Sequence, residues 1–213
     1  MSFLQLTQGP LWYLASAVFV IGVAWRLIGL LRLGRGPDRS VARRSGVAGA
    51  LKAIALHSVP HGGNLKRTIY HFVTGYGFHL GLFTLLFFAA PHVAFIKGLT
   101  GLSWTPLPRW GFLIAAEAAF AGLILMWLRR MTDPVMRRLS DADDHIATWL
   151  VFIVMLTGCL ALQEAHDSLR ALHLLCVEAL MIYFPFSRLM HAFTFLVARA
   201  YTGATYGRRG VTP

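Results

Sequence analysis

Long apolar runs alternate with short polar segments along this chain of 213 residues. Five runs are close to the roughly 20 apolar residues that a helix needs to cross a bilayer, where no water is present to hydrogen-bond the backbone. The five windows cover residues 11–31, 69–93, 110–128, 146–162 and 172–197. This pattern predicts an all-α integral membrane bundle with five transmembrane helices, folded as a single domain over residues 1–213.

The composition agrees with a membrane protein, because 56% of the residues are hydrophobic and only 14% are charged. Most basic residues fall in alternate connections between the windows and in the tail. They are Arg32, Arg35, Arg39, Arg43, Arg44, Lys52, Lys66, Arg67, Arg129, Arg130, Arg137, Arg138, Arg199, Arg208 and Arg209, whereas the other connections have only Lys97, Arg109 and Arg170. By the positive-inside rule, this asymmetry predicts an N-terminus outside and a C-terminus in the cytoplasm. The net charge of +11 is then explained by membrane topology and contact with anionic lipid, and we expect no nucleic-acid partner.

The cytoplasmic connection over residues 33–68 contains a second helical pattern. Its apolar residues Val47, Leu51, Ile54 and Ala55 recur at helical spacing, and Lys52 falls on another face. Two interpretations remain open, a short helix lying at the membrane interface and a docking platform for a soluble partner.

Five histidines lie within the predicted spans, where an ionisable side chain is costly and usually marks a function, and His71 is too shallow to match the other four. His79 and His92 are assigned to the second span, and His173 and His191 to the fifth. Counted from the inner ends of the two antiparallel helices, His79 and His191 lie at about 18 Å and 12 Å. His92 and His173 both lie near the outer boundary. The four side chains therefore form an inner pair and an outer pair.

Paired imidazoles on facing helices, without a neighbouring cysteine or carboxylate, are typical of axial ligands to haem b. The alternative for any one of them is a buried histidine that makes an ordinary polar contact. Zinc is disfavoured, because no tetrahedral set with closely spaced ligands is present. Arg188 lies near His191 and is interpreted either as a partner of a haem propionate or as a side chain that extends to lipid phosphate.

Two carboxylates fall in the outer halves of the predicted spans, Glu117 in the third and Glu178 in the fifth. Together with Lys97 they indicate a place where a quinone headgroup and protons are handled, although the glutamates could simply pair with Lys97, Arg109 or Arg170. We find no nucleophile and base arrangement, so the sequence predicts no terminal catalytic site and no catalytic residue.

Three segments resemble the membrane cytochrome b subunits of the respiratory nitrate reductase gamma family. The segment "YFPFSRLMH", residues 183–191, resembles the end of that family's fifth helix, and "RALHLL" supplies His173 at the same 18-residue separation. The segment "FHLG" resembles the region of the family's first second-helix histidine. The resemblance implies two stacked haems b, with His79 and His191 holding the inner haem and His173 the outer one. The family's second outer ligand falls at Ala89, and His92, three residues later, would substitute for it.

The connection over residues 33–68 is more similar to the branch that serves heterodisulphide-reductase-like iron–sulphur proteins, as in dissimilatory sulphite-reductase complexes. The resemblance implies an electron-transfer subunit of a quinone-linked oxidoreductase in the inner membrane of a bacterium. It would carry electrons between membrane quinone and a cytoplasmic iron–sulphur partner. The alternative is a haem-free transporter or assembly scaffold in which intramembrane His and Glu side chains form a proton path.

Overall fold

Five helices are long and apolar enough to cross a membrane in the computed structural model, which describes residues 1–33, 41–60, 62–162 and 166–211. The five helices are Phe3–Arg32, Leu65–Phe88, Arg109–Thr132, Ala142–Ala161 and Asp167–Phe186. Over the described ranges the chain is helical and contains no strand, which confirms the all-α membrane class. Arg35, Arg39 and His61 of the predicted cytoplasmic connection lie outside the described residues.

The chain divides into two compact units. The first consists of Met1–Trp12 and Ile69–Leu180, and the second of Tyr13–Thr68 and Met181–Pro213.

The first long helix begins earlier than its apolar window and is kinked. Helix α1 (Phe3–Leu6) has a capping box between Ser2 and Gln5, and a π turn joins it to α2 (Trp12–Arg32). Pro10 lies within this turn and has no amide hydrogen to donate, which is a common cause of such kinks.

The second apolar window, 69–93, is not one helix. Helix α4 (Leu65–Phe88) ends before Ala89, whose backbone is extended at φ −66° and ψ 136°, and α5 (Ala90–Thr100) begins after it. The break follows from Pro91, which removes a backbone hydrogen bond and clashes with the preceding helical turn. Pro91 then occupies the first turn of α5, where a missing amide hydrogen is tolerated.

The carbonyl groups released by this break are hydrogen-bonded by the following loop. The indole of Trp104 donates to the carbonyl of Phe87 at 2.8 Å, and the amide of Leu107 donates to the carbonyl of Phe88 at 2.9 Å. His92 consequently belongs to α5, and its assignment to the second span is wrong. Ala89 and His92 therefore do not share one continuous helical face, and the assignment of His92 as an outer ligand stays a prediction.

Helix α6 (Arg109–Thr132) packs closely against α4. An ideal Cβ on Gly81 would lie 2.5 Å from the carbonyl oxygen of Ala115, and one on Gly122 would lie 2.6 Å from the amide of Phe78. Small residues allow the two backbones to approach this closely. In lipid no hydrophobic effect drives helices together, so such close packing stabilises the contact instead. Gly81 is therefore explained by helix packing.

A short helix, α7 (Pro134–Leu139), connects α6 to α8 (Ala142–Ala161). Asp144 closes the capping box at the start of α8 with Asp141, and it also pairs with Arg130 at 3.0 Å. This carboxylate is 6% exposed, so the ion pair is partly withdrawn from solvent.

The fifth window, 172–197, contains a break as well. Its elements are α9 (Asp167–Tyr183), two 3-10 turns (Phe184–Phe186 and Arg188–Met190) and α10 (His191–Arg208). The apolar span therefore ends at Phe186, and His191 begins a separate helix. The buried Pro185 accounts for the interruption, because it cannot continue the hydrogen bonding of α9.

The helix expected near residue 50 is present as α3 (Gly46–Leu56), and it packs antiparallel on α10. An ideal Cβ on Gly203 would lie 2.5 Å from the Ala53 methyl, and one on Gly207 would lie 2.8 Å from the Gly49 Cα. Further along the pair, Arg199 donates to the Ser58 hydroxyl at 3.3 Å. The packed face of α3 is thus its small-residue face.

Candidate functional site

The structure brings His92 and His173 together within the first unit. Their ring centres lie 6.3 Å apart and the ring planes are within 22° of parallel. His92 lies in the first turn of α5 and His173 in the second turn of α9, and both side chains are half-buried. The break at Ala89 separates His92 from α4 without separating it from His173.

Hydrogen bonds define the tautomer of both rings. His92 Nδ1 lies 3.1 Å from the carbonyl oxygen of Leu85, which can only accept, so Nδ1 carries the hydrogen. The Thr157 hydroxyl has the Ile153 and Val154 carbonyls as acceptors, at 2.8 and 3.1 Å, and donation to either leaves its oxygen to accept from His173 Nδ1 at 3.2 Å. In both rings the lone pair is therefore on Nε2, the nitrogen that would ligate a metal.

Two residues of α8 that were not predicted complete the surroundings of His173. Thr157 is buried and holds Nδ1, and an ideal Cβ on Gly158 would lie 3.0 Å from Cε1 of the ring. Gly158 thus leaves the space that the imidazole occupies. Both are ordinary small residues of an apolar span 15 and 16 positions from His173, and local sequence carries no signal that connects them to it.

The two histidines of the predicted inner pair lie in different units. His79 is in α4 of the first unit and its Nδ1 bonds the Gly75 carbonyl at 2.7 Å. His191 is exposed at the start of α10 in the second unit, and its Nδ1 bonds the Arg188 carbonyl at 2.8 Å. Both rings therefore have the same tautomer as the outer pair, and their pairing stays a prediction.

The same bond occurs in a histidine that is not a candidate ligand. His57, the C-cap of α3, bonds the Ala53 carbonyl through Nδ1 at 2.8 Å. This bond therefore sets the tautomer and does not by itself identify a ligand. The close approach of a second imidazole distinguishes His92 and His173.

Arg188 contacts His191 through its backbone carbonyl, and its side chain is exposed in the 3-10 turn that precedes α10. Its pairing with a haem propionate stays a prediction.

The predicted quinone residues differ in their surroundings. Glu178 is 3% exposed, and among the described residues neither of its carboxyl oxygens has a hydrogen-bond partner. Lys97 and Glu117 are exposed. The alternative in which Glu178 pairs with a basic residue is therefore not seen within the described ranges, and Arg170 lies 4.0 Å from Asp167.

Within the described ranges, no group of three or more His, Cys, Asp or Glu side chains is arranged to hold a metal ion. An axial pair on a haem iron requires only two protein ligands, because the macrocycle supplies the others.

The sequence of this chain is similar to that of a protein of Nitratidesulfovibrio vulgaris (strain Hildenborough). The two are 26% identical over 196 residues, which cover 90% of this chain and 84% of the relative. Its name, "Protein", states no activity. No family model and no solved structure matches the chain.

Proposed function

We propose that this chain is a haem b-containing membrane subunit that transfers electrons between membrane quinone and a cytoplasmic iron–sulphur partner. The observation that carries the proposal is the His92 and His173 pair. Two nitrogens that ligate one metal from opposite sides are each about 2 Å from it, which puts the ring centres about 6 Å apart. The measured ring-centre separation of 6.3 Å matches this distance.

The surrounding residues fit a ligand pair as well. Metal-ligating histidines commonly donate their second N–H to a carbonyl or another acceptor, which fixes the ring and raises its basicity. Leu85 provides that acceptor for His92, and Thr157 provides it for His173. The Nε2 atoms of His92 and His173 would hold a haem b, which would supply one-electron transfer, and the chain would orient these ligands and limit access of water.

The inner pair comes from the predicted depths and the family resemblance. The resemblance implies His79 and His191 as ligands of a second haem, with Arg188 beside one propionate, in a chain whose N-terminus would be outside and whose C-terminus would be cytoplasmic. The iron–sulphur partner, of the heterodisulphide-reductase-like type, would dock on the cytoplasmic side in a bacterial inner membrane. The segment 183–191 and its relation to His173 support membership of the nitrate reductase gamma family.

Glu178 supports the quinone part of the proposal. An ionised carboxylate is very costly in an apolar interior without a partner, so this side chain is held neutral and carries a proton. A neutral acid can exchange that proton with a quinone headgroup, for which Lys97 and Glu117 are the other candidate contacts. In this proposal another subunit handles the terminal substrate, and the oxidoreductase activity belongs to the complex.

The same carboxyl group favours the second candidate, a haem-free transporter or scaffold with a proton path through Glu178. A dithionite-reduced minus oxidised spectrum of the purified protein, with haem counted per chain, separates the two. We expect b-type absorbance and two haems per chain. Absence of b-type absorbance in protein purified from haem-sufficient cells would reject the haem proposal and leave the haem-free candidate.

A further inference from the structure

Helix α3 has a second apolar face, opposite the one that packs on α10. Successive residues of a helix are 100° apart, so Val47 and Leu51 project on the side away from Gly49 and Ala53. Their side chains are 72% and 64% exposed, so no other part of the described chain covers them. An 11-residue helix is about 16 Å long and is too short to span a bilayer.

Basic residues surround this face and acidic residues are missing from it. Over its described residues the second unit carries eleven Lys and Arg residues and no Asp or Glu, whereas the first unit has seven basic and eight acidic residues by sequence. Arg43 and Arg44 precede α3 and Lys52 lies on its flank, and all three side chains are exposed. The backbone of Arg43 is held at this place by the carbonyl of Arg208, at 2.7 Å.

We propose that the outer face of α3 binds the anionic phospholipid surface of the membrane that the chain spans. Val47 and Leu51 would enter the boundary between headgroups and acyl chains, and Arg43, Arg44 and Lys52 would contact the lipid phosphates. Charge favours this occupant, because the exposed cations match an anionic surface and no acidic residue of the described second unit opposes it. The close contact of α3 with α10 holds the face in place, and the binding does not depend on haem.

A fluorophore at position 51 tests whether the apolar side chains of α3 enter the membrane. The full chain carries Leu51→Cys in a background of Cys159→Ser and Cys176→Ser, is labelled with an environment-sensitive dye and is placed in vesicles of phosphatidylglycerol and phosphatidylcholine. We expect a blue-shifted emission that brominated lipid quenches and aqueous iodide does not. Quenching by iodide alone would overturn the proposal, and so would shielding that requires an added soluble protein, which would assign the face to a protein interface.

The contact between the basic residues and lipid phosphate is tested in a chain that keeps both natural cysteines, so this test does not depend on the cysteine substitutions. The variant R43Q/R44Q is compared with R137Q/R138Q, which removes an equally exposed pair of adjacent arginines from the first unit. Each cation near an anionic surface contributes about fivefold in affinity, so R43Q/R44Q should bind phosphatidylglycerol about 30-fold more weakly by native mass spectrometry. Unchanged affinity in R43Q/R44Q would overturn the proposal, and R137Q/R138Q measures what a basic pair elsewhere on the predicted cytoplasmic side contributes.

Discussion

His92 and His173 lie with their ring centres 6.3 Å apart although 81 positions and two long apolar helices separate them in sequence. We expect His92→Ala and His173→Ala each to remove one haem of the two and leave the other bound. His57→Ala is the control, since it breaks the same kind of Nδ1 bond outside the pair. Pyridine haemochromogen assays of haem per chain measure the result, and an unchanged content in both variants would exclude this pair as ligands.

We expect substitution of Thr157 to change metal retention and the midpoint potential of the haem and to have little effect on folding stability. In Thr157→Val the His173 ring loses its Nδ1 acceptor, and such losses typically weaken metal retention or activity about 10- to 100-fold. A less basic imidazole also stabilises the oxidised iron less, so the midpoint potential should rise. Thr148→Val is the matched control in α8, because that hydroxyl bonds only the Asp144 carbonyl. Redox titration compares the two variants, and equal potentials would show that Thr157 does not position the ligand.

We expect a larger side chain at the close contact between α4 and α6 to destabilise the folded protein. Gly122→Leu places side-chain atoms against the backbone of Thr74 and Phe78, which cannot move away as a flexible side chain could. Overpacking of this kind costs about 1–3 kcal/mol. Gly98→Leu is the control, because nothing lies within 4 Å of its Cβ position. Thermal unfolding of the detergent-solubilised protein should show a lower Tm for Gly122→Leu only.

The Arg130 and Asp144 pair is expected to stabilise the start of α8. Asp144→Asn keeps the capping oxygen but leaves Arg130 without its ionic partner. Because Arg130 is 30% exposed, the cost should be about 2 kcal/mol, below the 3–5 kcal/mol of a fully buried pair. Asp167→Asn tests an exposed pair, for which the expected loss is at most about 1 kcal/mol. Denaturant unfolding should rank the two variants in that order.

Glu178 is expected to affect quinol oxidation and not folding. Glu178→Gln preserves shape and removes the exchangeable acid, so quinol-dependent haem reduction should fall strongly while the Tm stays within a few degrees of the wild-type value. Dithionite reduces haem without a quinone site and provides the internal control. Full quinol activity in Glu178→Gln would rule out a proton role for this residue.

The membrane class and the number of spans could be predicted because the requirement for about 20 apolar residues is local and strict. The breaks were less visible, since the apolar pattern continues through Ala89 and past Pro185 while the backbone hydrogen bonds do not. Pro91 and Pro185 were the available signals, and a proline in an apolar window predicts such an interruption. The bounds of the second and fifth windows were wrong for this reason.

The candidate ligands could be identified by residue type and depth, but their supporting residues could not. Thr157 and Gly158 acquire their roles only through the packing of α8 beside α9, which depends on tertiary contacts. The spacing of Val47 and Leu51 marked the apolar face of α3, but it did not single out Gly49 and Ala53, which form the face that packs on α10.

The contact between α3 and α10 joins residues that are made at very different times. Ser58 and Arg199 are 141 positions apart, and at about 5–20 residues per second the ribosome needs about 7 to 28 s to travel between them. Four of the five long apolar helices are synthesised during that interval. The small-residue face of Gly49 and Ala53 is therefore exposed until α10 has been synthesised, and the packing of α3 on α10 is one of the last steps of biosynthesis.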